Sequence, residues 1–440
     1  MNSLKCRKLI IFEYFELKTD LFYFNNTDNF VNKTTRLLAL LSVIIAVSFF
    51  VFVPLGNDDI AYFKEQTISF NWLVNERYMT WSSRVVLESV LPFLCKHDFV
   101  FRIVSVGFIV FNIYSLKLIF KGFSLPFISL FLSLFPFYNF ESAGLVATTV
   151  NYYYPAVFGL FIVGVLLEDK IASLWLVVAV IISCLIATNH EQMSLILLIC
   201  STIFVFKNKQ KGLAAIVLFI SILGLLNSFL CPGNHLRLVA ETTKWMPEFS
   251  SYSFFNKVYL GISSTLYFLN FSEPFFLVLL SAVLLFVYKQ KLWPVLVTLV
   301  VIYLILRLPV RIGMKSSGVK LDGTFIYNFP FSSLLILLLF DLFILYLVIK
   351  SSFDIRTKLV LLCLFVLANM LRASVGFSPT VFASLSRPSI LSEIIIVIAC
   401  MLIFENRRSS YENVNKNKLT ALLCCFSLYS NIRTLLMILS

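Results

Sequence analysis

Residues 36–55 read RLLALLSVIIAVSFFVFVPL, a run in which Arg36 is the only charged residue. A helix of about 20 apolar residues spans the hydrocarbon core of a bilayer. Similar runs recur along the chain and predict further spans at 99–120, 123–139, 154–168, 171–188, 191–206, 213–230, 268–288, 292–308, 331–349, 358–374, 389–404 and 419–439. Because these runs are continuous rather than alternating, they predict helices and not the strands of a barrel. The sequence therefore predicts an all-α polytopic membrane protein with about 11–13 transmembrane helices.

The composition agrees with this fold class. The 440 residues are 59% hydrophobic and 13% charged, with a mean hydropathy of +0.91, whereas a soluble domain is about 45–50% apolar and about 25% charged. The net charge of +13 lies mostly in short connections between spans, so it predicts cytoplasmic loops and no nucleic-acid partner. The sequence contains no Walker A, GxGxxG, HExxH or GxSxG motif, which argues against a nucleotide-driven pump and a nucleotide-sugar enzyme.

The distribution of lysine and arginine predicts the topology. Every second connection is short and basic, as cytoplasmic loops are. If these connections are cytoplasmic, the N-terminus is cytoplasmic too. These connections hold Lys117, Lys121, Lys170, Lys207, Lys209, Lys211, Lys289, Lys291, Lys350, Arg356, Lys358, Arg407, Arg408, Lys416 and Lys418. We predict an N-terminal cytoplasmic or interfacial segment at 1–35 and a membrane domain at 36–404. Residues 405–440 would then form a basic cytoplasmic segment and a last membrane helix.

The first outside connection opens GNDDIAYF and places Asp58 and Asp59 directly after a span. Two adjacent like charges raise the pKa of one carboxyl, and such a group can act as a general base near neutral pH. Both aspartates are therefore candidate catalytic residues. The alternative is an N-cap pair that starts an interfacial helix.

Two later outside segments carry candidate substrate-binding residues. Asn151 and Tyr154, within NYYYP, offer the amide and aromatic groups that a sugar site needs, although tyrosines also form an aromatic belt at a membrane interface. His190 and Glu191 lie in a tight turn at membrane depth, where ionisable groups are costly and usually functional. Alternatively, His190 caps one helix and Glu191 starts the next.

Arginines on the outside run against the usual charge distribution. Arg84, Arg237 and Arg387 lie in outside connections, and Asn234 lies in the turn before Arg237. A membrane-embedded phosphate explains outside arginines, because guanidinium groups bind phosphate bidentately. Ordinary lipid anchoring is the alternative. The fifth outside connection adds Arg307, Arg311, Lys315 and Lys320.

These motifs together resemble a known family. The order Asn57-Asp58-Asp59, Trp81…Arg84, Asn151–Pro155, His190-Glu191-Gln192, Pro232-Gly233-Asn234…Arg237 and Ser378-Pro379…Arg387-Pro388 covers about residues 50–390. It resembles the GT-C class of polytopic membrane glycosyltransferases, and more closely the bacterial and phage-derived glucosyltransferases that decorate O-antigen. Each motif alone is weak, and the specificity lies in their order and shared side.

The resemblance implies an activity. An acidic residue of the first outside loop, here Asp58 or Asp59, would activate an acceptor hydroxyl, which attacks a sugar carried on polyprenyl phosphate. Arg237 or Arg387 would bind the phosphate, and His190 and Glu191 would line the cavity. The enzyme would be a multi-pass protein of the bacterial inner membrane, acting on a lipid-linked or polymeric glycan. Some members use a divalent metal, for which this sequence shows no ligand set.

Two other functions fit the same pattern. An O-antigen polymerase of the Wzy type has a similar size, span count and set of outside arginines. A lipid-oligosaccharide flippase or transporter is the non-enzymatic alternative, although the paired repeats and broken midplane helices of transporters are not evident in the sequence.

Overall fold

The computed structural model describes residues 33–168, 173–207, 210–289, 297–298, 301, 331–408 and 413–439. All regular elements within these residues are helical. The main helices are α1 (Lys33–Phe52), α2 (Asp58–Ala61), α3 (Val85–Lys96), α4 (Asp98–Ile119), α5 (Leu125–Leu132), α6 (Leu145–Leu167), α7 (Leu174–Ala187), α8 (Glu191–Phe206), α9 (Lys211–Leu230), α10 (Pro232–Trp245), α11 (Phe254–Thr265), α12 (Phe275–Lys289), α13 (Phe331–Lys350), α14 (Ile355–Ala373), α15 (Ile390–Arg408) and α16 (Asn413–Leu439).

The prediction of a polytopic helical membrane protein is confirmed. Seven helices in the described part of the chain are long and apolar enough to cross a membrane, and an eighth is counted if one bent pair forms a single span. Helices α7 and α8 are apolar but shorter. The last candidate span, Asn417–Leu439, agrees with the prediction at 419–439.

Three predicted spans differ from the structure or lie beyond it. The span predicted at 123–139 is the eight-residue helix α5, which at about 12 Å is too short to cross. The span predicted at 268–288 is interrupted by a 73° bend between Phe254–Ser272 and Phe275–Leu285. Pro274 lies at this bend and has no N–H with which to continue a helical ladder. The span predicted at 292–308 and the arginines that follow it lie almost wholly outside the described residues.

Three of the connections predicted to be cytoplasmic meet at one end of the bundle. Lys121 Nζ lies 2.7 Å from a Glu168 carboxylate oxygen, and Gln210 donates to the Glu168 carbonyl at 3.0 Å. Lys117 donates to the carbonyls of Lys121 and Phe123 at 2.8 and 2.6 Å. Segments more than 40 residues apart in sequence thus meet here, as the topology predicts.

An aromatic cluster packs α1 against the start of α6, at the other end of the bundle. Phe49 and Phe50 of α1 pack against Phe137 and Phe140, which belong to a 3-10 turn (Phe137–Ala143) before α6. Tyr153 of α6 stacks on Phe50, with ring centroids 5.9 Å apart. All five rings are buried. This packing fixes the first turns of α6 against α1, and these turns carry the candidate site.

Candidate functional site

The carboxylate of Asp59 caps the first turn of α6. Its two oxygens accept the backbone N–H groups of Val146 and Ala147, each at 2.8 Å, and the side chain is completely buried. The first N–H groups of a helix have no partner within the helix, so Asp59 satisfies two that would otherwise be buried without one. Asp59 is therefore a helix-capping residue, as the alternative interpretation of the aspartate pair expected. The N–H group of Val146 that it caps lies 87 residues further along the chain.

Gly144 makes the approach of Asp59 possible. Its φ of 111° lies in a region that residues with a side chain rarely adopt. A Cβ atom at this position would lie 2.5 Å from Asp59 Oδ1 and 2.6 Å from its carboxyl carbon. Both the backbone conformation and the space therefore require glycine.

We expect Gly144→Ala to destabilise the protein by about 2–4 kcal/mol, from backbone strain together with loss of the Asp59 cap. Thermal unfolding of the purified protein in detergent measures this. Gly56→Ala is the matched control, because a Cβ there meets nothing within 4 Å. Equal unfolding temperatures for the two variants would show that the contact between Gly144 and Asp59 is unimportant.

Burial raises the pKa of Asp59 from 3.8 to about 6, although the N–H groups of Ala147 and Val146 oppose this shift and Asp58 adds to it. Between these two values the folded protein holds a proton that the unfolded chain has lost. The contribution of Asp59 to stability is thus greatest below pH 3.8 and is lost as the pH rises through about 6.

We therefore expect the unfolding temperature of the wild type to fall more steeply between about pH 4 and pH 6 than that of Asp59→Asn, which cannot titrate. Parallel thermal unfolding curves across this range measure the difference. Identical slopes in the two proteins would mean that Asp59 does not titrate in this window.

Asp58 is the accessible member of the pair. It is exposed at the start of α2, and within the described residues its side chain makes no hydrogen bond or ion pair. A substrate hydroxyl can therefore reach Asp58, whereas both oxygens of Asp59 are occupied.

Arg84 and Glu191 form an ion pair that joins two of the predicted segments. Arg84 Nη2 and Nε lie 2.7 and 3.0 Å from Glu191 Oε2, and Nε lies 3.2 Å from Oε1. Ser83 also donates to Glu191 at 3.3 Å. Because its charge is neutralised internally, Arg84 is less available to a phosphate than the sequence suggested.

His190 lies beside this pair in the turn between α7 and α8. Its ring contacts Tyr152 edge to face at 5.0 Å, and the Arg84 guanidinium lies 5.7 Å from the same tyrosine ring. Burial and the charge of Arg84 lower the pKa of His190 to about 3, so its imidazole is neutral at pH 7. Neither ring nitrogen has a partner among the described residues.

Asn189, which precedes His190 in the tight turn, joins this turn to α3. Its side-chain oxygen accepts the N–H groups of Val86 and Leu87, at 3.0 and 3.3 Å, and so caps α3. The cap docks α3 against the turn that carries His190. Asn189 holds the two segments together without taking part in the polar cluster itself.

A π-helical turn at Thr149–Tyr153 carries Asn151 and Tyr152. Such turns occur frequently at functional sites. Asn151 donates to the Ala147 carbonyl at 2.9 Å, while its side-chain oxygen is buried without a partner among the described residues. The side chain of Asn151 therefore retains hydrogen-bonding capacity.

Tyr154, a predicted site residue, and its neighbour Tyr152 lie in different surroundings. The Tyr154 hydroxyl hydrogen-bonds to Ser105 at 2.8 Å, and its ring stacks on Phe108 at 3.8 Å. Each residue along a helix rotates the side chain by about 100°, so side chains two residues apart point in nearly opposite directions. Tyr154 therefore packs against α4, whereas Tyr152 points towards His190. Of the two tyrosines, Tyr152 is therefore the one that lies beside His190.

The remaining predicted residues lie at the edge of this region. Asn234 donates to the Ser228 carbonyl at 2.7 Å and closes the last turn of α9, which is a structural role. Arg237 lies 5.8 Å from the centre of the Trp81 ring, and Arg387 donates to the Ser384 carbonyl at 3.3 Å. Both arginines are half-buried, and neither pairs with a carboxylate within the described ranges.

The sequence analysis missed the most deeply buried arginine as a site residue. Arg372 is completely buried, and its Nη2 donates to the carbonyls of Val381 and Leu385 at 3.1 and 3.4 Å. Its Nε and Nη1 have no hydrogen-bond partner in the described part of the chain, although the guanidinium lies 4.3 Å from the centre of the Phe268 ring. Gln192 donates to the adjacent Leu371 carbonyl at 2.8 Å. A charge inside a predicted span was the signal that should have singled out Arg372.

No family model, curated protein or solved structure matches this chain. The resemblance to GT-C glycosyltransferases therefore depends on the quoted residues alone.

A divalent cation does not fit the residues at this site. Among the described side chains no three His, Cys, Asp or Glu groups converge. Asp58 is an exposed carboxylate, and both oxygens of its neighbour Asp59 already accept backbone N–H groups.

Proposed function

We propose that the protein is an inverting glycosyltransferase that moves a sugar from a polyprenyl-phosphate donor to a surface glycan. The observation that carries this proposal is a buried polar cluster with unfilled hydrogen-bonding capacity, formed by Asn151, His190, Gln192 and Arg372, in a multi-span bundle. Asp58 supplies an exposed carboxylate, and the next residue, Asp59, caps the helix that carries Asn151. Polar groups buried without partners favour a hydroxyl-rich ligand.

The reaction needs one base and one leaving group. Asp58 accepts the proton of the acceptor hydroxyl while the hydroxyl oxygen forms a bond to the anomeric carbon of the donor sugar. The bond from that carbon to the phosphate oxygen breaks, and the polyprenyl phosphate leaves with the electron pair. Attack from the face opposite the leaving group inverts the anomeric configuration.

The leaving phosphate requires positive charge that is not already neutralised. Arg237 and Arg387 meet this requirement better than Arg84, because neither has a carboxylate partner among the described residues. Arg237 lies on α10 directly after α9, whose last residues Phe229 and Leu230 are exposed apolar side chains. Such a position suits a phosphate whose prenyl chain stays in the lipid.

The distribution of basic residues supports a reaction on the non-cytoplasmic side. The lysine-rich connections around Lys121 and Glu168 favour the cytoplasm, so the site would face the opposite side. A lipid-carried donor explains how an enzyme there works without nucleotide sugar. The resemblance to O-antigen glucosyltransferases favours glucose and the bacterial inner membrane.

The test compares surface glycans by mass in cells with and without this chain. We expect full-length glycan that lacks one sugar per repeat when the chain is absent. Single unpolymerised repeats would indicate a Wzy-type polymerase instead. Accumulation of complete lipid-linked glycan inside the cell would indicate a flippase, and an unchanged glycan would refute all three functions.

A further inference from the structure

The bend between α11 and α12 interrupts a long apolar helix. A π-helical turn, Leu266–Ser272, extends α11 up to the bend, and Pro274 lies directly before α12. The helices on the two sides meet at 73°. Interrupted helices in membrane proteins expose main-chain carbonyl oxygens, and these oxygens often coordinate monovalent cations. The side chains around the bend decide whether a cation fits here.

Two acidic side chains lie at the bend, and only one of them has a cationic partner. Glu273 accepts two hydrogen bonds from Arg433 of α16, at 2.7 and 3.1 Å, so its negative charge is neutralised. Asp341 of α13 is only 8% exposed. No lysine, arginine or histidine nitrogen of the described residues lies within 4.0 Å of its carboxylate. A buried carboxylate without a partner is costly, so Asp341 requires a positive charge from a bound ion or a proton.

Asn270 of the π-helical turn contacts Asp341 directly. Its Nδ2 atom donates to Asp341 Oδ1 at 2.9 Å and to the Leu337 carbonyl at 3.0 Å. One nitrogen atom thus joins the turn to a carboxylate and a main-chain carbonyl of α13. The Oδ1 atom of the same amide is buried and has no partner among the described residues. Because this oxygen and an ionised Asp341 both only accept hydrogen bonds, a ligand that suits both is a cation or a donor.

The charge and the ligand atoms define which cation fits. Carboxylate, amide and carbonyl oxygens are hard ligands, which suit alkali and alkaline-earth ions. A single carboxylate neutralises one positive charge, whereas a divalent ion would leave a second charge buried without a partner. A proton on Asp341 meets the same requirement as an alkali ion, because it neutralises the carboxylate and creates a donor for Asn270 Oδ1.

We propose that Asp341 and Asn270 form a binding site for one monovalent cation at the bend between α11 and α12. The cation is an alkali ion or a proton, since both supply the single positive charge that Asp341 lacks. Because Asn270 and Asp341 lie on separate elements, the bound cation also joins the bent helix to α13. The site shares no residue with the polar cluster of the proposed function and does not rest on that function.

The experiment measures thermal unfolding of the purified full-length protein in detergent as NaCl or KCl is added. N-methyl-D-glucamine chloride keeps the ionic strength constant, because its large cation does not fit a buried site. If the ligand is an alkali ion, the unfolding temperature of the wild type should rise by about 2–5 °C and then saturate. Asp341→Asn should show no such rise, because its neutral amide needs no counter-ion and can itself donate to Asn270.

If the ligand is a proton, neither salt should change the unfolding temperature of the wild type beyond the effect of N-methyl-D-glucamine chloride. The unfolding temperature should then depend on pH differently in the wild type and in Asp341→Asn, which has no titrating group at this position. Asp59 is present in both proteins and does not affect the comparison.

The matched control is Glu248→Gln, which neutralises an exposed carboxylate in a connection outside the bundle and should respond to salt and pH as the wild type does. If Asp341→Asn does not fold, Asn270→Leu takes its place and should shift the salt concentration or the pH at which the response occurs. Identical responses to both alkali ions and to pH in the wild type and in the site variant would overturn the proposal. Loss of the response in Glu248→Gln would also overturn it, because the response would then not depend on Asp341.

Discussion

Asp58→Asn should lower the rate of sugar transfer by about 100- to 10,000-fold, the range that a general base contributes. The amide keeps the size of the side chain but cannot accept the proton of the acceptor hydroxyl. Because Asp58 is exposed and makes no side-chain contact among the described residues, its replacement should leave the unfolding temperature unchanged. The measurement is transfer from polyprenyl-phosphate sugar by purified enzyme, followed by mass.

The control for this substitution is Glu65→Gln, which neutralises an exposed carboxylate in the same connection. It should transfer sugar at the wild-type rate. Asp59→Asn should instead lower both activity and stability, because Asp59 acts through the helix that it caps. Normal glycan modification by Asp58→Asn and Asp59→Asn alike would remove the first-loop aspartates from the mechanism.

The second large effect concerns the pair formed by Arg84 and Glu191. Glu191→Leu alone should destabilise the protein by about 2–4 kcal/mol, because it leaves the Arg84 charge largely buried without a partner. The side chains are 18% and 33% exposed, so we place this cost below that of a fully buried pair. The double variant Arg84→Met with Glu191→Leu should be more stable than the single variant, since it removes both charges.

A double-mutant cycle on unfolding temperatures measures this coupling. The matched pair is Lys121 with Glu168 at the opposite end of the bundle, where the lysine side chain is 56% exposed. Exposed pairs contribute about 0–1 kcal/mol, so the control cycle should show little coupling. If the double variant of Arg84 and Glu191 is as unstable as the sum of its single variants, the pair does not stabilise the site.

The two aspartates show how far sequence reasoning reaches. Their position directly after a span predicted a functional or capping pair, and the structure assigns Asp59 to capping and leaves Asp58 exposed. The sequence could not separate them, because the capped N–H groups of Val146 and Ala147 lie in a segment 87 residues away. Adjacent residues in a short helix face different surroundings, and only packing determines which one is buried.

The arginines show the same limit in a different way. Arg84 looked free in the sequence, yet it pairs with Glu191 across 107 residues. Arg372 falls inside the span predicted at 358–374, and the structure buries it with two nitrogen atoms that have no hydrogen-bond partner among the described residues. A charge count along the chain predicts which side of a bilayer a loop occupies, but the availability of a charge depends on partners that the fold brings together.

The sequence by itself determined that this chain forms membrane-spanning helices, because a bilayer forces apolar runs of this length to satisfy their backbone polar groups internally. Only the tertiary structure decided which polar side chains remain unpaired, because that depends on long-range contacts. We propose that Asp58 and a buried, incompletely paired polar cluster serve the same hydroxyl-bearing ligand. A wild-type protein that binds no sugar, free or lipid-linked, would contradict it.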